Sequence, residues 1–156
     1  MQLIDRAEIL SRRILAIDDE EANVRLLQNL LQREGYTQIF GLTEPKEALS
    51  TYIEWQPDLV LLDLTMPEVD GFQLLEAFSR HDAPDEFRPV LVLTADTTIQ
   101  ARRRALALGA KDFVAKPFDV VEVALRISNL LETRLLYERL QTGTAKAADR
   151  SAKTIG

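Results

Sequence analysis

Residues 14–19 read Ile14-Leu15-Ala16-Ile17-Asp18-Asp19, an apolar run that stops on two aspartates. The pattern returns in Leu59-Val60-Leu61-Leu62-Asp63, in Val90-Leu91-Val92-Leu93-Thr94, and in Phe113-Val114-Ala115-Lys116-Pro117. Short runs rich in Val, Leu and Ile, without polar alternation, are strands buried on both faces of a parallel sheet. In an open parallel sheet the carboxyl ends of the strands share one edge, and ligands bind there. The pattern therefore predicts one site built from two acidic loops, a hydroxyl and a lysine.

Amphipathic stretches separate these runs. Residues 20–34 put Val24, Leu27, Leu30 and Leu31 at helical spacing, and Gly35 is suited to a left-handed cap. Residues 36–42 read as another strand and 45–54 as a short helix carrying Ala48, Leu49, Tyr52 and Ile53; Pro57 then leads into the buried run 58–63. Phe72, Leu74, Leu75 and Phe78 mark a helix over 71–80, Pro84 and Pro89 bracket a polar loop, and a helix over 98–108 ends at Gly109. After a strand at 112–115, Asp119 is placed to cap the last helix. Five strand–helix units with right-handed crossovers predict a doubly wound α/β sheet with helices on both faces. Periodicity alone leaves the strand order open.

With 156 residues, 46% of them hydrophobic, the chain makes one domain with a proper core. A net charge of −6 argues against direct nucleic-acid binding, because such a surface repels phosphates. The absence of cysteine excludes disulfides, a thiolate nucleophile and a zinc–thiolate site. No run approaches the roughly 20 apolar residues of a membrane span. The start, Met1-Gln2-Leu3-Ile4-Asp5-Arg6, does not read as a signal peptide. The expected location is cytoplasmic.

Asp18, Asp19 and Asp63 on one sheet edge would repel one another. Two unit charges about 4 Å apart cost about 4 kcal/mol at an effective dielectric near 20. Either the pKa values rise or a cation sits among the carboxylates. An all-oxygen donor set without histidine selects a hard cation such as Mg2+, which also favours a phosphate oxygen. Lys116 adds a point charge for an oxyanion and Thr94 adds a hydroxyl donor. Together these groups describe phosphoryl transfer, with a carboxylate as nucleophile.

Over roughly residues 12–132 the chain resembles the receiver domain of two-component response regulators, the CheY-like superfamily. The resemblance rests on Ile14 through Glu20, on Asp58 through Gly71, on Val92-Leu93-Thr94-Ala95, and on Gly109-Ala110 through Lys116-Pro117-Phe118. It implies a flavodoxin-like five-stranded parallel sheet in the order 2-1-3-4-5 with five helices. It implies that Asp63 accepts a phosphoryl group from a sensor histidine kinase or phosphotransfer protein. Asp18, Asp19, Asp63 and the Thr65 backbone carbonyl would hold Mg2+, for which Mn2+ can substitute. Thr94, Ala95 and Lys116 would bind the phosphoryl oxygens. On phosphorylation Thr94 would move inward and Phe113, the switch aromatic, would rotate into the vacated space. Phe113 has no hydroxyl, so only its burial can report the state. The Lys116–Pro117 bond is expected to be cis, a rare form even before proline. The implied function is a phosphorylation-dependent signalling switch that changes its 94–118 surface and its self-association. Its chemistry would be limited to Mg2+-dependent self-phosphorylation from a phosphodonor and self-dephosphorylation.

Other readings are weaker. Taken singly, Asp18 or Asp19 could cap a helix, Asp63 could end a strand in a turn, and Phe113 could be a packed aromatic. An aspartate-nucleophile phosphatase on a related sheet would carry a second acid two residues after the nucleophile, where Thr65 stands. A flavin- or dinucleotide-binding sheet would carry Gly-x-Gly-x-x-Gly where Asp18-Asp19-Glu20-Glu21 stands. An unphosphorylated receiver-like scaffold would not need the complete set of site residues. His81 reads as solvated in a polar loop, Trp55 as a helix-end packing residue, and Arg102-Arg103-Arg104 as a solvated face bordering the switch. Asp96, two residues past Thr94, is placed to affect how water reaches an acyl phosphate.

The expected organisation is an N-terminal extension over 1–12, a receiver domain over 13–132, an extension of the last helix over 133–142, and a disordered tail over 143–156. From Asp119 to Gln141 the last helix would measure about 34 Å, longer than a sheet face requires. Its Leu130, Leu131, Leu135, Leu136, Tyr137 and Leu140 spread around the helix. This predicts a homodimer contact through the last helix or the 98–127 face, or a signalling helix toward a downstream output domain. The stretch 130–140 is also similar to the connector of regulators with a cyclic-dinucleotide phosphodiesterase output. Leu3, Ile4, Ile9 and Leu10 share helical spacing and are expected to pack on a neighbour.

Overall fold

A computed structural model describes the backbone of residues 4–155 and the side chains of residues 4–143. In chain order the elements are α1 (Arg6–Leu10), β1 (Arg13–Ile17), α2 (Glu21–Glu34), β2 (Gln38–Leu42), a 3-10 turn (Pro45–Glu47), α3 (Ala48–Trp55), β3 (Leu59–Leu62), α4 (Gly71–His81), β4 (Val90–Thr94), α5 (Ile99–Ala107), β5 (Asp112–Ala115) and α6 (Val120–Ile155). The strands form one parallel sheet in the order β2-β1-β3-β4-β5, as expected.

Successive strand residues point to opposite faces, so each apolar run feeds two cores. Ile14, Ala16, Leu59, Leu61, Leu91 and Leu93 face the layer that includes Leu27 and Leu31 of α2 and Val123 and Ile127 of α6. Leu15, Ile17, Val60, Leu62 and Val92 face Tyr52 of α3, Leu74, Leu75 and Phe78 of α4, and Ala105 of α5. Capping sets the helix ends. Gly35 ends α2 at φ +102°, while the Tyr36 amide donates to the Leu31 carbonyl. The side chains of Asp70 and Thr98 accept from the amides of Phe72 and Ala101. Asp119 accepts from the amides of Val121 and Glu122, as expected of the cap on α6.

The structure departs from the sequence reading in three places. The described residues form six α-helices rather than five, because the N-terminal extension contains α1. Ile4 and Ile9 do not pack on a neighbouring molecule; they are buried in this chain's own core beside Leu131 and Leu135. Leu3 lies outside the described residues. The helical backbone of α6 continues to Ile155, through the segment expected to be without structure. That segment holds four alanines and two lysines, which favour helix. Lastly, His81 is the final residue of α4 rather than part of a loop, and its ring meets Tyr52 edge-on at 6.0 Å.

At the amino end of the strands, Asp58 joins three elements. It accepts from the Arg13 amide and from Arg134 Nε of α6, both at 2.8 Å. Trp55 packs at the end of α3, its ring 5.5 Å from that of Phe40. Among the described residues, no helix is long and apolar enough to cross a membrane.

Candidate functional site

The opposite edge of the sheet carries the predicted cluster. Asp18 follows β1 and Asp63 follows β3, and these strands are paired in register. Their backbones are also tied, with the Asp63 amide donating to the Ile17 carbonyl at 3.1 Å. Carboxylate oxygens of Asp18, Asp19 and Asp63 lie within 4.8 Å of one another. Asp18 is 2% exposed and Asp63 7%, so water screens this charge poorly.

Lys116, just past β5, reaches across the edge. Its Nζ lies 2.8 Å from Asp18 Oδ2 and 3.6 Å from Asp63 Oδ2. The lysine is delivered by β5 pairing beside β4, and its own amide donates to the Thr94 carbonyl at 2.8 Å. The Lys116–Pro117 bond is cis, as expected. Asp18 Oδ1 accepts from the Glu20 amide at 3.0 Å and Asp63 Oδ1 from the Thr65 amide at 3.2 Å. Burial pushes the Asp63 carboxyl above the ordinary carboxylate range; Lys116 and the Thr65 amide oppose the rise, while Asp18 and Asp19 add to it.

The donor set fits a hard cation. Three carboxylates converge with a single lysine beside them, leaving surplus negative charge that a divalent ion would balance. Asp18, Asp19, Asp63 and the exposed loop at Thr65 are the residues that would hold it.

Thr94 ends β4 with no exposed surface. Its hydroxyl accepts from the Asp96 amide at 3.3 Å and lies 3.4 Å from the Thr65 hydroxyl. The Thr65 side chain had no assigned part in the sequence reading, and only the folded β3–β4 edge brings it to Thr94. Ala95 is exposed beside the cluster. Phe113 is half-buried against the core that contains Val92 and Ala105. Arg102 and Arg103 are exposed, as expected. Arg104 is exposed as well, and its guanidinium lies 4.1 Å over the Phe72 ring and 3.9 Å from Asp70, linking α5 to α4.

A doubly wound sheet with buried acids and a lysine at its carboxyl edge defines a signal-receiver class of protein. The family model for the response regulator receiver domain matches residues 14–128, and the chain belongs to that family. It is 38% identical over 120 residues to the transcriptional regulatory protein PcoR of Escherichia coli, covering 77% of this chain and 51% of that one. It is 36% identical over 132 residues to the response regulator PleD of Caulobacter vibrioides, covering 85% of this chain and 29% of that one. The chain thus spans about half or less of the length of these relatives. Its fold is similar to the signal receiver domain of a LuxO repressor protein from Vibrio parahaemolyticus, with TM-score 0.76, 23% identity and coverage of 83% and 97% of the two chains. It is also similar to a chain of the CheX–CheY–BeF3–Mg2+ complex from Borrelia burgdorferi, with TM-score 0.70, 29% identity and coverage of 76% and 88%. Receiver domains are signalling modules of two-component systems. They work with histidine kinases and output domains, and generally bind Mg2+ at an aspartate cluster.

Proposed function

We propose that this chain is a phosphorylation-dependent switch whose acceptor is Asp63. The observation that carries this reading is the position of Lys116 Nζ between Asp18 and Asp63, with the three carboxylates drawn together. A sensor histidine kinase or phosphotransfer protein is the donor. An Asp63 carboxylate oxygen attacks phosphorus in line, the bond from phosphorus to the donor atom breaks, and an acyl phosphate forms. Asp18, Asp19, Asp63 and the Thr65 carbonyl would hold Mg2+, which would supply positive charge for the phosphoryl oxygens; Mn2+ would serve in its place. Lys116, the Thr94 hydroxyl and Ala95 bind those oxygens.

The Thr94 hydroxyl already takes the Asp96 amide, so engaging a phosphoryl oxygen requires it to exchange or share that bond. Phe113 then packs more deeply beside Thr94. These shifts alter the 94–118 surface and favour self-association through the 98–127 face or the last helix. An output domain downstream would read the change, and the module acts in the cytoplasm. The test is incubation of the chain with Mg2+ and acetyl phosphate or beryllofluoride, followed by intact mass and sizing. Acetyl phosphate is expected to add one phosphoryl group to wild type and none to Asp63→Asn, and only wild type is expected to change size. Equal labelling of the two proteins would refute the assignment.

A further inference from the structure

Two parts of the chain remote from the site meet on α6. The first is the N-terminal segment. Ile4 and Ile9 are buried in the same apolar cluster as Leu131 and Leu135. Three polar contacts flank that seam, one near Ser128 and two about three turns further along. Arg6 Nη1 donates to Ser128 Oγ at 2.9 Å, Arg12 Nη1 lies 3.2 Å from Glu138 Oε2, and Arg139 Nη2 donates to both Glu8 carboxylate oxygens at 2.6 and 2.8 Å. From Ser128 to Arg139 a helix rises about 16 Å, or three turns.

The second part is the loop between α4 and β4. Arg134 Nη1 donates to the Phe87 carbonyl at 2.6 Å. The Tyr137 ring stacks on Phe87 with centroids 4.9 Å apart, and the Gln141 side chain donates to the Asp85 carbonyl. Between the two supports, Arg134 Nε binds Asp58, which directly precedes β3. A linker hinged at residue 132 would need none of these contacts, and it would not bury Leu135 to 2% exposure.

We propose that α1 and the 85–88 loop form a cradle that fixes the direction in which α6 leaves the domain. Residues 128–141 then move as one body with the sheet. A helix held this way carries a displacement of its first turn along its whole length, whereas a hinge would absorb it. The N-terminal segment is thus a positioning element for the last helix, acting at the far end of the sheet from Asp63.

The chain has no cysteine, so two introduced ones can be labelled uniquely. Spin labels at Gln73→Cys on α4 and Thr142→Cys on α6 report the bearing of the helix. Without a phosphodonor, the otherwise wild-type chain should give one narrow distance distribution. Arg139→Glu combined with Tyr137→Ala should broaden it about twofold or more and speed amide exchange over 130–141 roughly tenfold, with β1 and β3 still protected. In Arg139→Glu alone, adding Glu8→Arg should restore the narrow distribution. A broad distribution in the starting chain, an Arg139→Glu/Tyr137→Ala variant as narrow as that chain, or a charge-swapped pair no narrower than Arg139→Glu alone, would overturn the proposal. These measurements do not involve Asp63 chemistry, so their failure would leave the phosphorylation reading standing.

Discussion

Asp63 is held in a state that costs the protein stability. Burial raises the pKa of its carboxyl against the opposing pull of Lys116 and the Thr65 amide. A carboxyl with a folded-state pKa above its unfolded value binds its proton more tightly when folded. The stability it contributes is complete below the unfolded pKa and is lost as pH rises through the folded one. At neutral pH, without a cation, ionised Asp63 is therefore a net burden. Asp63→Asn is expected to raise the unfolding free energy by ~1 kcal/mol at pH 7 in a chelating buffer, and the gain should fade toward about pH 4. Urea titrations at several pH values measure this; a loss of stability would mean that the Lys116 attraction outweighs burial. Arg88 presents the opposite case. Its side chain is 6% exposed, donates twice to the Pro57 carbonyl, pairs with Asp82 at 3.2 Å and covers the Tyr52 ring at 4.3 Å. Arg88→Ala leaves Asp82, already pushed upward by burial, without its cation. The expected loss is about 3 kcal/mol in the same titration, and a change near zero would show that water replaces the guanidinium without penalty.

Elements with their own chemistry were legible in the sequence. Four of the five strands announce themselves as short apolar runs, and the polar residues that follow or end them mark the carboxyl edge; β2, with Gln38 and Gly41, does not. The α6 cap at Asp119 and the α2 stop at Gly35 follow from local rules. The docking of α1 and of the far part of α6 was not legible, because it depends on partners distant in sequence, such as Asp58 for Arg134 and Glu8 for Arg139. Helical periodicity cannot distinguish a Leu131 that faces its own core from one that faces a second molecule. The Thr65–Thr94 approach was hidden for the same reason. One element boundary does yield a prediction from crowding. Gly71 opens α4, and a Cβ there would stand 2.6 Å from the Leu64 Cα and 3.1 Å from the Asp63 carbonyl oxygen. Gly71→Ala must therefore push the backbone that carries Asp63. The expected cost is about 2 kcal/mol, together with weaker beryllofluoride binding; unchanged values for both would mean that the loop yields freely.

At the scale of the whole molecule, the acidic edge is expected to make stability depend on cations. The cluster is mostly buried, so dissolved salt screens it poorly, whereas a bound divalent ion would neutralise it directly. A ligand that binds only the folded state stabilises it by RT ln(1 + [L]/Kd), about 2.7 kcal/mol at a hundredfold excess over Kd. For a chain of this size each kcal/mol shifts the melting temperature by about 2–4 °C. Saturating Mg2+ should then raise the melting temperature by about 5–10 °C, well beyond NaCl at matched ionic strength. Mn2+ should act in the same sense, because its preference is also for oxygen ligands. Asp19→Asn should shrink the Mg2+ shift toward the salt control by removing one carboxylate from the set while leaving the Lys116–Asp18 pair in place. Differential scanning calorimetry separates these outcomes. If NaCl matches Mg2+, or Asp19→Asn keeps the full shift, the carboxylates at the sheet edge do not act together as one cation site.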